Sequence, residues 1–295
     1  MLKLFALVTA FVSAAAHGQI NYGGGTYTQD FNGLLDDAKF VNYTNLPIGW
    51  VVSHGSYVWT SGSTTNGYSN NYGTYGFASA AGAADKSLGL VIGTTGQAYF
   101  GARFRNTSGV ALTAFSLSYF EEQWVKGAVT SMDQVIPFSY SIGATSLTSG
   151  SYSNFPALDM HSINDGDGTQ APLDGNAPGN RRLISAIVSG ISWAANQDLW
   201  IRWSGVPYSF FSAHAMAVDD LSFSAGPQLQ IVRNGSTELT VSWPTNAAGF
   251  VLKAGPDSSV PTWEFVTNPA PTVGDQFMVT IAATNTQRFF RLEKQ

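Results

Sequence analysis

The chain of 295 residues carries five glutamates, four histidines and no cysteine, and that inventory limits its chemistry. Hydrolysis of a glycosidic bond needs two carboxyl groups, about 5 Å apart for retention and farther for inversion. The only glutamate cluster is Glu121-Glu122. Neighbours on a strand point to opposite faces, so these two cannot converge on one bond. Glu238, Glu264 and Glu293 lie in the C-terminal tail. A Glu/Asp pair drawn from different strands stays open, and nothing in the sequence marks one. His17 falls in the N-terminal leader, and His54, His161 and His214 lack metal-ligand spacing. There is no H-E-x-x-H and no G-x-S-x-G elbow. Gly23-Gly24-Gly25 precedes a strand rather than a helix, so it is no phosphate loop. No catalytic residue is assigned.

Two constellations remain. Glu122 and Arg202 each sit on the polar face of an alternating strand, beside Trp124 and Trp200. If those strands are neighbours, the charges pair across the sheet. Glu122, Trp124, Trp200 and Arg202 would then form a sugar platform, with rings on sugar C–H faces and charges on hydroxyls. The alternative is an ion pair that only stabilises the fold. Asp174, Asn176, Asp219 and Asp220 suggest a structural calcium site, because hard cations take carboxylate and amide oxygens. Asn164 to Thr169 resembles the first half of an EF-hand loop. However, Asn176 stands where the twelfth-position Glu is required and no helices flank it, which excludes an EF-hand. The alternative here is turn chemistry, in which Asp and Asn bond their own backbone.

The elements that must position these residues read as strands. Phe100, Ala102 and Phe104 share one face, with Tyr99, Arg103 and Arg105 on the other. Phe115, Leu117 and Tyr119 alternate with serines, and Leu199, Ile201 and Trp203 alternate with Trp200 and Arg202. Ile136, Phe138, Tyr140 and Ile142 repeat the pattern. One packed face and one wet face give this reading. Ala78 to Lys86 is a short helix or a loop, and the Tyr/Asn/Gly-rich stretch Tyr57 to Phe77 reads as a long sandwich loop, with an exposed adhesive or glycan-contacting loop as the alternative. Many short strands with Gly-rich turns predict an all-β chain, a jelly-roll β-sandwich over residues 19–225 followed by a small β-sandwich over 227–295. The boundary falls at Gly226-Pro227.

Residues 1–18 read as a signal peptide: a positive start at Lys3, an apolar run to Ala16 and small residues for cleavage after Ala16 or Gly18. The run is too short for a permanent membrane span. The mature chain is therefore expected to be secreted or held at the cell surface. Only 11% of residues are charged, the net charge is -5 and aromatics reach 13%. Those figures exclude disorder and a broad nucleic-acid footprint. The missing cysteines exclude a disulfide scaffold and point to a bacterial source.

Several segments carry a resemblance. They are Tyr27 to Leu34, Leu46-Pro47-Ile48-Gly49-Trp50, Glu121-Glu122-Gln123-Trp124, Leu173-Asp174-Gly175-Asn176, Leu199 to Trp203 and His214 to Leu221. In that order they resemble secreted bacterial jelly-roll proteins of the concanavalin and MAM-domain type, most of them uncharacterised. The tail, with Glu238 to Pro244 and Arg288 to Leu292, looks like the fibronectin- or Ig-like modules that end many exported proteins. The resemblance implies no catalytic residues. The expected function is a non-catalytic binding protein whose partner is a glycan or cell-envelope polymer. A structural envelope or matrix component and a polysaccharide hydrolase are the alternatives.

Overall fold

The computed structural model describes residues 18–35, 46–53, 55–60, 73–80, 82–91, 96–128, 133–205, 207, 214–245, 247, 249–256, 263–283 and 287–295. The leader expected over residues 1–18 lies outside them but for Gly18. Up to residue 226 the strands are β1 (Ile20–Tyr22), β2 (Thr26–Gln29), β3 (Trp50–Val52), β4 (Gly55–Thr60), β5 (Gly73–Ala78), β6 (Lys86–Val91), β7 (Ala98–Asn106) and β8 (Leu112–Lys126), then β9 (Val135–Ile136), β10 (Phe138–Ile142), β11 (Ser153–Asn154), β12 (Met160–His161), β13 (Ala171–Pro172), β14 (Arg181–Trp193), β15 (Asp198–Gly205) and β16 (Ala215–Gly226). A single 3-10 turn at Pro156–Leu158 is the helical structure among the described residues.

Two sheets enclose one core. The six-stranded sheet runs β1-β7-β15-β10-β11, with β3 also on β7. The eight-stranded sheet runs β13-β8-β16-β6-β5-β4, with β14 also on β8 and β2 on β16. From β7 onward the long strands alternate between sheets: β7, β10 and β15 in one, β8, β14 and β16 in the other. That is the connectivity a jelly roll requires. The inward residues are those whose alternation marked them: Phe100 and Phe104, Phe115 and Leu117, Leu199 and Trp203. Trp203 is the centre of the core. It stacks on Phe100 at 5.0 Å and on Trp50 at 6.4 Å, and its indole N–H reaches the Tyr119 hydroxyl at 3.2 Å.

A bulge changes the parity of β16. Met216 and Val218 face the core, and so do Leu221 and Phe223. One extra residue is absorbed where the pairing with β8 slips between Asp219 and Ser222, and Asp220 takes a φ of 47°. Asp tolerates that left-handed backbone better than most residues. The bulge leaves Asp219 on the outer face of the sheet, in line with Ala217 opposite Glu122.

The remainder forms a second sandwich. Strands β17 (Gln230–Asn234), β18 (Glu238–Pro244), β22 (Gln276–Ala282) and β21 (Thr272–Val273) make one sheet; β20 (Glu264–Phe265), β19 (Phe250–Gly255) and β23 (Phe289–Lys294) make the other. Val241, Trp243, Leu252, Val279 and Ile281 fill the space between them. The chain is thus all-β, as its patterning predicts. One local alternative is decided and one expectation changes. Of the two readings of Ala78 to Lys86, the described residues give the loop, which joins the antiparallel β5 and β6. Tyr57 to Phe77 is not one loop, because its ends belong to β4 and β5, which pair in parallel.

Candidate functional site

Three of the segments behind the resemblance, Glu121–Trp124, Leu173–Asn176 and His214–Leu221, meet at one junction, where the end of β8 pairs with β16. Gln123 is its hub. Its Oε1 accepts the backbone N–H groups of Ile163 (2.8 Å) and Asn164 (2.6 Å), and its amide nitrogen lies 2.7 Å from His214 Nδ1. Gly127 N–H also donates to Nδ1 at 3.0 Å, so that nitrogen is the acceptor. Trp124 donates to Ser87 Oγ at 2.9 Å and Glu122 Oε2 at 3.2 Å, and it stacks on Phe77. Gly175 lies flat on this indole: a Cβ there would sit 2.3 Å from Trp124 Cε2. The glycine of the Leu173–Asn176 loop is therefore required by close approach rather than by a ligand. Trp50 plays a matching role inside, donating to the Tyr27 hydroxyl at 3.0 Å and meeting Phe31 in a T-shaped contact at 4.7 Å.

Carboxyl groups flank the same stretch of β8, Glu121 on its inner side and Glu122 with Asp219 on its outer side. Glu121, Glu122 and Asp219 are 0%, 0% and 1% exposed. Burial pushes Glu121 up to about 7 despite its 2.8 Å ion pair with Arg182. Burial likewise pushes Glu122 up to about 7. Burial, together with the charge of Glu122, carries Asp219 up to about 8. Arg181 stands 3.6 Å from Glu122 Oε1, beyond hydrogen-bond reach, and spends its Nη2 on Asp220 at 3.1 Å. Glu122 and Asp219 are the cross-strand acid pair that the sequence leaves unmarked. They are sealed from solvent, whereas a catalytic pair has to touch its substrate.

The expected platform is not assembled. Glu122 and Trp124 lie on β8, and Trp200 and Arg202 lie on β15, in the opposite sheet. No Glu122–Arg202 pair forms. Both indoles are covered, at 2% and 4% exposure, so neither offers a ring face to a sugar. Trp124 is roofed by the Gly175 loop, and Trp200 packs with Val51, Ala144 and Leu147. The four proposed calcium ligands are also spread over different tasks. Asp174 Oδ1 accepts the Asn176 N–H at 3.2 Å in an Asx turn, Asp219 is buried, and Asp220 pairs with Arg181. Among the described residues no group of three or more acidic or histidine side chains is placed to hold a metal ion.

What remains outside the junction is the outer face of the six-stranded sheet, half of which the alternation of β7 had marked as wet. Arg202 is held between two phenol rings, 3.5 Å from the Tyr152 centroid and 4.7 Å from that of Tyr99. Its Nε donates to Ser139 Oγ at 3.0 Å and its Nη1 to the Leu147 carbonyl at 2.8 Å. Beside it, Asp198 accepts from Arg103 at 2.7 Å and from Arg105 at 3.2 Å, and Arg103 lies 5.8 Å over the Trp200 ring. Tyr99, Arg103, Arg105, Asp198, Tyr152 and Arg202 are all half-buried. Burial pushes the Tyr152 phenol up to about 12, so it stays a neutral hydroxyl. Tyr152 and Asp198 were missed from sequence: Tyr152 belongs to an irregular loop, and Asp198 sits at the first residue of its strand.

No family model matches this chain, and no curated protein matches it either. Among solved structures it is similar to the CBM22-1 xylan-binding domain from Paenibacillus barcinonensis Xyn10C, at 12% identity over 69% of this chain and 96% of that one, with a TM-score of 0.30. The tandem CBM22-1-CBM22-2 domain of the same protein matches at 9% identity over 96% of this chain and 87% of that one, with a TM-score of 0.32. A beta-1,2-glucanase from Parabacteroides distasonis matches at 12% identity and a TM-score of 0.26, over 75% of this chain but only 31% of that enzyme. At these scores the likeness is loose, and function is argued from this chain's own residues.

Proposed function

We propose that the protein is an exported, non-catalytic glycan-binding protein that uses the outer face of the six-stranded sheet. The carrying observation is the clamp of Arg202 between Tyr99 and Tyr152 on a half-exposed face. A cation over an aromatic face contributes about 0.5–1 kcal/mol at an exposed site and about 2 when desolvated. Together with the Ser139 and Leu147 bonds, the clamp fixes donors and rings before any ligand arrives, which lowers the entropy cost of binding. Sugars present C–H faces to rings and hydroxyls to charged groups, and this face offers both. The Tyr99 hydroxyl has no hydrogen-bond partner among the described residues. The burial of Glu121, Glu122 and Asp219 supports the non-catalytic part of the reading. Export is supported by the leader sequence alone.

A glycan array on the mature chain tests this reading, followed by titration of the best glycan against Tyr152→Ala. Loss of one stacking ring is expected to weaken binding by about 3- to 10-fold. An array with no glycan bound, or an affinity untouched by the substitution, would overturn it.

A further inference from the structure

The outer face of the six-stranded sheet carries an uneven charge. Along β7, β10 and β15 the outward residues are Tyr99, Gly101, Arg103 and Arg105, then Ser139 and Ser141, then Asp198, Trp200, Arg202 and Ser204. Asn21 of β1 and Val51 of β3 extend the face without charge. Three arginines therefore stand against one acid, an excess of two positive charges on a chain whose net charge is -5. The excess is not explained by holding the sheet together. Asp198 meets Arg103 through both Nε (3.1 Å) and Nη2 (2.7 Å) on one oxygen, and that contact alone would anchor the strand pair. Arg105 adds a second cation on the same strand face, two residues away and about 7 Å along the strand, where like charges repel. Arg202 makes no ion pair among the described residues; its partners are a hydroxyl, a carbonyl and two rings.

Guanidinium forks match planar carboxylates and tetrahedral oxyanions in pairs of N–H bonds, and Arg202 Nη2 makes no hydrogen bond among the described residues. A neutral glycan would leave the excess of two positive charges on this face without an anionic partner. We infer that the Arg103–Arg105–Arg202 face takes an anionic glycan, one whose sugars carry carboxylate or sulfate groups. This inference rests on the proposed glycan-binding function and specifies its ligand class.

The experiment is a binding titration of the mature chain with four polymers: polygalacturonate, dextran sulfate, unmodified dextran and inorganic polyphosphate. Polygalacturonate or dextran sulfate is expected to bind at least about tenfold tighter than dextran in 50 mM salt, and the advantage is expected to shrink about tenfold by 500 mM as screening shortens the reach of the charges. Arg105→Gln is expected to weaken the anionic polymer by about 3- to 10-fold with an unchanged melting midpoint, while Arg105→Lys, which keeps the charge, retains most of the affinity. The two anionic sugars tell carboxylate from sulfate. Equal affinity for dextran and the anionic sugars, lost in Tyr152→Ala, overturns the charge inference and leaves the glycan reading standing. Polyphosphate binding as tight as that of either anionic sugar overturns the inference in favour of general anion exchange. Failure of all three sugars to bind overturns both.

Discussion

Replacing Asp219 by Asn should change how the protein responds to pH, and the direction follows from its burial. Asp219 is 1% exposed, beside Glu122 on the neighbouring strand, and is carried from 3.8 to about 8. Between those values the folded protein keeps a proton that the unfolded chain releases. Stability is then fully present below about pH 4 and is lost as pH rises toward 8. A carboxyl moved that far corresponds to on the order of 5 kcal/mol, or about 1.4 kcal/mol per pH unit across the window. Asn has the shape of the protonated acid and never ionises. Urea denaturation followed by tryptophan fluorescence at pH 4, 5, 6, 7 and 8 reads the difference directly. At pH 4 the variant should match the parent within about 1 kcal/mol; at pH 8 it should be more stable by several. A constant offset between the two proteins from pH 4 to pH 8 would refute the reasoning, because it would mean that the Asp219 proton is not linked to folding.

Two further perturbations probe the packing beneath the proposed face and junction. Gly175→Ala pushes a methyl to 2.3 Å from Trp124, whose ring is pinned by Ser87, Glu122 and Phe77. It should cost about 1–3 kcal/mol, seen as a lower denaturation midpoint. Asn106→Ala strips a fully buried amide that donates to the Val110 and Trp193 carbonyls and accepts from Ser108 N–H. Leaving those groups unpaired should cost about 1–3 kcal/mol and speed hydrogen exchange in the 107–110 turn.

The two faces of single strands are legible in the sequence. Alternation on β7, β8, β10 and β15 identifies the core residues and assigns Tyr99, Arg103 and Arg105 to the wet side, because the period of two is a local property of extended backbone. The long β14 escapes that reading. Leu183 and Ile187 stand outside at 61% and 65% exposure while Ile184, Ala186 and Val188 pack inward, so both faces are apolar and no period shows. The bulge at Asp219-Asp220 escapes it too, since one inserted residue reverses every face that follows.

By itself the sequence determined the class of fold, the identity of the core aromatics and the scarcity of acid chemistry. Only the tertiary structure decided which strands are neighbours and which outward residues meet solvent. Pairing is non-local: Glu122 and Arg202 fall in opposite sheets because successive long strands cross from one sheet to the other. A loop can also bury a wet face, as Gly175 covers Trp124 and Leu147 packs on Trp200. Neither event leaves a local signal, because both depend on where distant chain segments find room to pack.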